Sequence, residues 1–154
     1  MQGQPDALEQ QRRMIAGMQT PIVQLWDSIL ALTIVGTLDT ARAQEMTEAL
    51  LERIVATGSE FVLLDITGVP VVDTSVSQHL LETVTAARLL GAEVFIVGLS
   101  SHTAITLVHL GVDLSGVITR TTLARGLELA LSRLGLEVVP RRRAAADDSL
   151  LGNG

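Results

Sequence analysis

The chain has 154 residues, a formal net charge of −6 and no cysteine, and all 11 of its basic residues are arginine. The acidic balance argues against nucleic-acid binding, because it leaves no positive surplus to displace counterions from a phosphate backbone. The lack of cysteine excludes disulfides, and the lack of lysine excludes Schiff-base chemistry and a lysine contact to a nucleotide phosphate. The length predicts one domain, and 47% hydrophobic with only 2% aromatic residues predicts an aliphatic core.

Residues 1–20 are mostly polar, and the near-heptad spacing of Leu8, Ile15 and Met18 predicts a lead-in or linker helix. This segment lacks the basic and then continuously apolar pattern of a signal peptide. No apolar run in the chain reaches the ~18 to 20 residues that a membrane span requires. We therefore expect a soluble, cytoplasmic protein with no membrane partner.

From residue 21 the hydrophobic pattern predicts a folded domain. Residues 22–26 and 29–35 are two strand-like runs separated by a two-residue turn, which predicts an antiparallel hairpin. A helix follows, and either Asp39 or Thr40 is suited to cap it. The apolar run at residues 61–66 predicts a third strand.

The rest of the domain repeats a helix–strand pattern up to residue 137. The predicted elements are a helix from residues 73–75 to Gly91, a strand at 93–99, a helix at 102–110 capped by Ser100 or Ser101, a strand at 117–119, and a helix to 134 capped by Thr121 or Thr122. The order ββαβαβαβα predicts an α/β domain with a mixed, mainly parallel sheet that begins with a β-hairpin. Residues 138–154 lack a packable pattern and are predicted to be a disordered tail.

The sequence lacks recognisable catalytic, nucleotide-binding and metal-binding patterns. There is no G-x-S-x-G nucleophile elbow and no glycine-rich phosphate-binding loop. The three histidines, His79, His102 and His109, form no H-x-x-x-H pair, and the last two lie two helical turns apart, too far for one small ion. We therefore expect no catalytic residue, no metal and no cofactor, which predicts that the chain is not an enzyme.

One segment contains a candidate regulatory switch. Residues 65–74 run from the end of a strand through a loop to the start of a helix, where Asp73, Thr74 and Ser75 lie near unpaired backbone N–H groups. A hydroxyl at that point either caps the helix, which contributes roughly 1 kcal/mol, or accepts a phosphate, whose charge of about −1.5 to −2 a helix N-terminus tolerates. Asp73 either orients the hydroxyl or caps the helix itself, and these alternatives remain open.

Five segments of the chain resemble the carboxy-terminal STAS domain of RsbR-type stressosome co-antagonists, within the anti-sigma-factor antagonist superfamily. They are residues 20–27, 36–43, 65–74, 86–92 and 108–114. The segments occur in the same order as in that family, and the resemblance covers residues 15 to 136. It implies the STAS fold, whose element order is the one predicted above.

The resemblance also implies a function. In such proteins a serine/threonine switch kinase of the RsbT type phosphorylates the start of the second helix, which corresponds to Thr74 here. RsbR-type proteins carry a second phosphorylatable threonine, which corresponds to Thr106, with Thr103 as the less favoured neighbour. The implied partners are that kinase, RsbS-type scaffolds and other RsbR-type proteins, in a large homo- or hetero-oligomer that controls a general stress, sigma-factor response. Asp73, Ser75 and Asp39 are then candidates for the partner-binding surface.

The chain departs from the RsbR pattern in one respect, and two alternatives to this interpretation remain. RsbR-type proteins usually carry a large amino-terminal sensor domain, whereas about twenty residues precede the STAS-like core here. RsbS-type scaffolds, which are short like this chain, have serine at the switch position. Thr74 therefore favours the RsbR type. A stand-alone antagonist that binds an anti-sigma kinase is the first alternative, although the glycine that usually follows its switch serine is missing after Ser75. A small-molecule-binding module is the second alternative.

Overall fold

The computed structural model describes residues 22–142, which form a five-stranded sheet and four helices. The elements are β1 (Ile22–Trp26), β2 (Ile29–Val35), α1 (Thr40–Thr57), β3 (Phe61–Gly68), α2 (Thr74–Leu89), β4 (Glu93–Val97), α3 (Ser101–His109), β5 (Ile118–Arg120) and α4 (Leu123–Arg133). The strands lie side by side in chain order, β1 antiparallel to β2 and each later pair parallel. The predicted hairpin, element order and mixed sheet are confirmed.

The direction of the connections explains how the helices are distributed over the sheet. The three parallel crossovers step along the sheet the same way, and because such crossovers are right-handed, α1, α2 and α3 lie on one face. Alternate strand residues pack with these helices in one cluster that includes Leu30, Leu32, Leu64, Met46, Leu50, Leu80, Val84 and Leu107. The opposite strand residues pack with α4 in a second cluster that includes Ile29, Ala31, Leu63, Phe95, Val97, Ala130 and Leu131.

A glycine allows α4 to lie close to the sheet. A Cβ atom on Gly126 would lie only 2.5 Å from Cγ1 of Val97, so the helix approaches this strand more closely than an alanine would permit. The fully buried Phe95 ring lies beside Phe61, with 5.6 Å between ring centroids, and the Arg133 guanidinium lies 5.5 Å from the Phe95 centroid. Aliphatic side chains and very few rings thus fill both faces, as the composition predicts.

All four helices begin at the edge of the sheet where the parallel strands end, and each begins with a capping side chain. The side chain of the capping residue accepts a hydrogen bond from a backbone N–H three residues later, Asp39 from Arg42, Asp73 from Val76, Ser100 from Thr103 and Thr122 from Arg125. These caps satisfy N–H groups that a helix leaves without an intrahelical partner. The structure thereby selects one capping residue from each pair that the sequence left open, namely Asp39, Ser100 and Thr122.

Element boundaries differ slightly from the predictions. β4 ends at Val97, two residues early, because Gly98 adopts φ +86° and turns the chain out of the extended conformation. Residues 134–142 contain no helix or strand. The predicted helix in residues 1–20 lies outside the described residues, as does most of the predicted tail, and these boundaries stay predictions. Within residues 22–142, no helix is both long and apolar enough to cross a membrane.

Candidate functional site

Thr74 is the first residue of α2, and its side chain is exposed. It follows the loop that leaves the end of β3, so the predicted position at the start of the second described helix is where the structure places it. The residue before it, Asp73, is the N-cap, and its side chain is also exposed. Capping is therefore the role of Asp73, and Thr74 does not cap the helix.

The hydrogen bonds at this helix start leave two backbone donors available. The Val76 N–H donates to Oδ1 of Asp73 at 2.8 Å, and the Ser77 N–H donates to the Asp73 carbonyl at 3.0 Å. Within the described part of the chain, neither the Thr74 nor the Ser75 N–H has an acceptor, and the Thr74 hydroxyl makes no side-chain hydrogen bond. Exposed N–H groups at a helix N-terminus favour a bound negative charge.

The start of α2 is joined to the start of α1 through a histidine. Nε2 of the half-buried His79 lies 3.4 Å from Oγ of Ser75 and 3.4 Å from Oγ1 of Thr40, the first residue of α1. Further along both helices, away from the carboxyl edge of the sheet, the hydroxyls of Thr47 and Thr83 are hydrogen-bonded at 2.8 Å. The starts of the two helices thus form one polar surface next to Thr74, and the buried Thr83 hydroxyl links the helices beneath it.

The sequence patterns suggested His79 as a metal ligand or as an exposed or interface histidine, and they placed neither His79 nor Thr40 near the switch. The available signal was the four-residue spacing of Ser75 and His79, which brings two side chains to one helix face. The link to Thr40 spans 39 residues and depends on how α1 packs beside α2, so no local pattern contains it. Among residues 22–142, no group of three or more His, Cys, Asp or Glu side chains is arranged to hold a metal ion.

Asp39 lies at the same edge, as the cap of α1. Its Oδ1 atom accepts from the Arg42 N–H at 2.8 Å, and Nη1 of Arg42 donates to the Thr37 carbonyl at 2.9 Å. These bonds hold the turn that leads into α1. The exposed Asp39 carboxylate therefore belongs to the same surface as the hydroxyl of Thr40.

Thr106 has a different environment from Thr74. It lies in the interior of α3, is half-buried, and its hydroxyl donates to the His102 carbonyl at 2.9 Å. Thr103, the neighbouring alternative, accepts a hydrogen bond at Oγ1 from Oγ of Ser100 at 3.0 Å. A phosphate on Thr106 would have to replace an existing intrahelical hydrogen bond, whereas the Thr74 hydroxyl has no such bond to lose among the described residues.

The end of β3, from which the switch loop departs, is held by a compact hydrogen-bonded turn. Oδ1 of Asp65 accepts from the Thr67 N–H at 2.9 Å and from the Thr67 hydroxyl at 2.6 Å. Gly98, at the end of the next strand, packs directly against this turn, and a Cβ atom there would lie 2.6 Å from Oδ1 of Asp65. The turn fixes the direction in which the chain leaves the sheet towards Thr74.

One carboxyl group in the loop after α3 has a shifted pKa. Hydrogen bonds from the Ser115 side chain and backbone lower the pKa of Asp113 below its usual value of 3.8. The Ser115 N–H donates to Oδ1 of Asp113 at 2.9 Å. The Asp113 carboxylate is therefore turned back onto its own loop after α3.

Comparison with known sequences identifies related proteins. A family model described as "STAS domain" matches residues 20–130. The RsbT co-antagonist protein RsbRA of Bacillus subtilis (strain 168) is 40% identical over 129 residues, which is 84% of this chain and 47% of that protein. The co-antagonist RsbRD of the same strain is 39% identical over 120 residues, 78% of this chain and 43% of that protein. The chain thus spans about half the length of these curated relatives.

Comparison with solved structures gives the same family and fold. A variant of RsbS from Moorella thermoacetica superposes with a TM-score of 0.66 at 30% identity, covering 77% of this chain and 99% of that one. A chain from a structure described as the molecular architecture of the stressosome gives 0.61 at 29% identity, covering 74% and 98%. The anti-sigma factor antagonist SpoIIAA, at 0.55 and 10% identity over 75% and 96%, shares the fold alone. The predicted STAS-like fold and the resemblance to RsbR-type proteins are confirmed.

Proposed function

The chain belongs to the STAS domain family, and from this premise we propose that it is a phosphorylatable scaffold of a stressosome-type complex. In this proposal an RsbT-type serine/threonine switch kinase binds the carboxyl edge of the sheet and phosphorylates Thr74. The observation that carries the proposal is the exposed Thr74 hydroxyl, which has no hydrogen-bond partner within residues 22–142 and lies at a capped helix start.

The local geometry supports phosphorylation without unfolding. The cap formed by Asp73 does not involve the Thr74 hydroxyl, so adding a phosphate leaves the helix start intact. The N–H groups of Thr74 and Ser75 are then available to the new anion, in the favourable field of the helix dipole. The fold is retained, while the surface gains about −1.5 to −2 charges at one point.

The added charge changes partner binding because the surrounding surface is already acidic. Asp39 and Asp73 present exposed carboxylates at the starts of α1 and α2, in a chain with net charge −6. A dianion beside them repels an acidic partner surface and attracts a basic one, and the effect is strongest where water is excluded from the interface. We place Ser75 and Asp39, with Thr40 and His79, in the surface that the kinase contacts.

The remaining parts of the proposal follow from the family premise. The chain acts as a non-catalytic cytoplasmic regulator, with RsbS-type and other RsbR-type proteins as assembly partners, in a pathway that controls a general stress response. Thr106 is the second phosphorylation site. Its hydroxyl is engaged with His102, so we expect it to be modified more slowly than Thr74.

The test is phosphorylation by a purified RsbT-type kinase with ATP, followed by mapping of the modified residue by mass spectrometry. We expect phosphate on Thr74 in the unaltered chain and its loss in Thr74→Ala, and slower modification of Thr106. Thr85→Ala is the matched control, since Thr85 is an exposed threonine on the same helix, bonded to the Leu81 carbonyl at 2.9 Å. A chain that stays unmodified at Thr74 under conditions where an RsbS-type substrate is phosphorylated would refute the switch assignment.

The size of the assembly tests the scaffold part separately. Sedimentation of the chain mixed with an RsbS-type protein should give a large complex rather than free components. A stable monomer that binds an anti-sigma kinase one to one, with no larger species, would instead support the stand-alone antagonist. Binding of the kinase should differ between the unaltered chain and Thr74→Asp, and equal binding would argue against a charge-dependent switch.

A further inference from the structure

A concave surface lies outside the group of residues around Thr74. A cleft of about 730 Å³ opens between α3, the short edge strand β5 and the start of α4. This volume is within the range of about 300–1,000 Å³ that is typical of small-molecule sites. None of the lining residues belongs to α1 or α2, so the cleft is separate from the surface that we assign to the kinase.

The interior of the cleft is aliphatic. Its apolar lining consists of Leu99, Ala104, Leu107, Val108, Val112, Leu114 and Val117. Val108 is 76% exposed, and the neighbouring Ile105, further round α3, is 57% exposed. Such an aliphatic wall facing a concavity favours an apolar ligand, because burying it removes apolar surface from water.

The polar lining of the cleft is cationic or neutral. It consists of Ser100, Ser101, Thr119, Thr121, Arg120 and Arg125, with no carboxylate, in a chain whose acidic residues outnumber its basic ones by 17 to 11. Nη1 of Arg120 donates to the Thr119 carbonyl at 2.8 Å, and Nη1 of Arg125 lies 3.4 Å from Oε2 of the exposed Glu128. Each guanidinium has five N–H donors, so both retain donors for a further acceptor.

Two carboxylates belong to residues next to the cleft lining without lining the cleft themselves. Asp113, between two lining residues, bonds to the Ser115 N–H of its own loop. Glu128 lies one turn along α4 from Arg125, with 56% of its side chain exposed, so the ion pair is weakened by water. The amino-terminal ends of α3 and α4 also border the cleft and add partial positive charge to the same rim.

We propose that this cleft binds a small amphipathic anion, with an aliphatic body among the leucine and valine side chains and one carboxylate between Arg120 and Arg125. The chemistry is that of a medium-chain fatty acid. The proposal does not depend on the kinase or on Thr74, and an apolar segment of another protein is the competing occupant that the test distinguishes.

Calorimetric titration of the full chain with decanoate, below the concentration at which decanoate forms micelles, tests the proposal. We expect saturable binding near one molecule per chain, at least tenfold weaker binding of decanol, and no binding of decyltrimethylammonium. The tenfold difference corresponds to 1.4 kcal/mol, the scale of a hydrogen bond to a charged group.

Variants locate the ligand within the cleft. The double variant Arg120→Gln, Arg125→Gln should weaken decanoate binding at least tenfold while leaving the decanol affinity unchanged, and Ala104→Trp should fill the cleft and abolish binding of both. Arg53→Gln removes an arginine from the last turns of α1, at the opposite edge of the sheet, and should bind decanoate normally. All variants are checked for an unchanged circular dichroism spectrum.

Three results would overturn the proposal. They are equal affinities for decanoate and decanol, retention of decanoate affinity in the double arginine variant, and no binding of either compound by the folded chain. In the last case the cleft would be assigned to a protein partner. Because the phosphorylation of Thr74 is measured without any of these ligands, failure here leaves the kinase switch untouched, and failure of the switch leaves the cleft untouched.

Discussion

Replacing Gly98 by alanine should destabilise the domain strongly. Gly98 has φ +86°, a region that costs an L-residue about 1–2 kcal/mol. The new Cβ atom would also lie 2.6 Å from Oδ1 of Asp65 and 2.6 Å from the backbone nitrogen of Thr67. These atoms belong to the hydrogen-bonded turn at the end of β3, so they move only if that turn is distorted.

The two effects add because they have separate causes. Overpacking a well-filled region costs typically about 1–3 kcal/mol, so the total loss of unfolding free energy is roughly 2–5 kcal/mol. Gly58 provides a matched control, since it has φ +64° and no other atom lies within 4 Å of the point that a Cβ atom would occupy. Its alanine variant experiences the backbone strain alone, so Gly58→Ala should lose only about 1–2 kcal/mol.

Urea unfolding of the two variants and the unaltered chain, with linear extrapolation to water, measures both losses. The expected result is that Gly98→Ala is less stable than Gly58→Ala by about 1–3 kcal/mol, with similar m-values. Equal stabilities of the two alanine variants would refute the reasoning, because they would mean that the turn at Asp65 and Thr67 accommodates a methyl group without strain.

Three further predictions concern helix packing, capping and ionisation. Gly126→Ala should lower the unfolding free energy by about 1 kcal/mol, because the new Cβ atom would clash with Val97 and this cost exceeds the gain from the higher helix propensity of alanine. A variant that is more stable in urea unfolding would contradict the close packing of α4. Asp73→Ala should lose about 1 kcal/mol in the same assay, and no loss would contradict the capping role. Ser115→Ala should raise the Asp113 pKa towards 3.8 in an NMR titration of the carboxyl carbon, and an unchanged pKa would contradict the side-chain hydrogen bond.

The direction of the last effect fixes its pH dependence. The folded-state pKa of Asp113 is lowered, so the interaction stabilises the fold at pH values above the unfolded-state pKa. That stabilisation is lost as the pH falls through the folded-state pKa. Ser115→Ala should accordingly reduce the acid sensitivity of unfolding in this range.

The fold could be predicted because its elements are marked locally. The two-residue turn after Trp26, the aliphatic strand runs and the polar residues at each helix start are all visible in the sequence. Choices between adjacent capping residues, such as Asp39 and Thr40, could not be made, because both side chains are able to cap and only the backbone geometry decides. The predicted end of β4 is too late for a similar reason, since the positive φ of Gly98 has no signature beyond the glycine itself.

The candidate site likewise contains features that could be predicted from the sequence and features that could not. The position of Thr74 at a helix start follows from neighbouring residues, and the structure places it there. The bridge from His79 to Thr40 and the cleft beside Arg120 depend on packing between elements distant in the chain. No single segment encodes such contacts, so sequence patterns alone do not reveal them.

The agreement between chain order and strand order has a consequence for synthesis. Each strand from β2 onward pairs with the strand made immediately before it, so a chain leaving the ribosome can extend its sheet one strand at a time without waiting for a distant segment. Among the elements of residues 22–142, α4 alone, which covers the second face, arrives after the last strand. Until it docks, the side of the nascent sheet that carries Phe95 is open to water and to chaperones, so this face cannot be covered before the residues after β5 have left the ribosome.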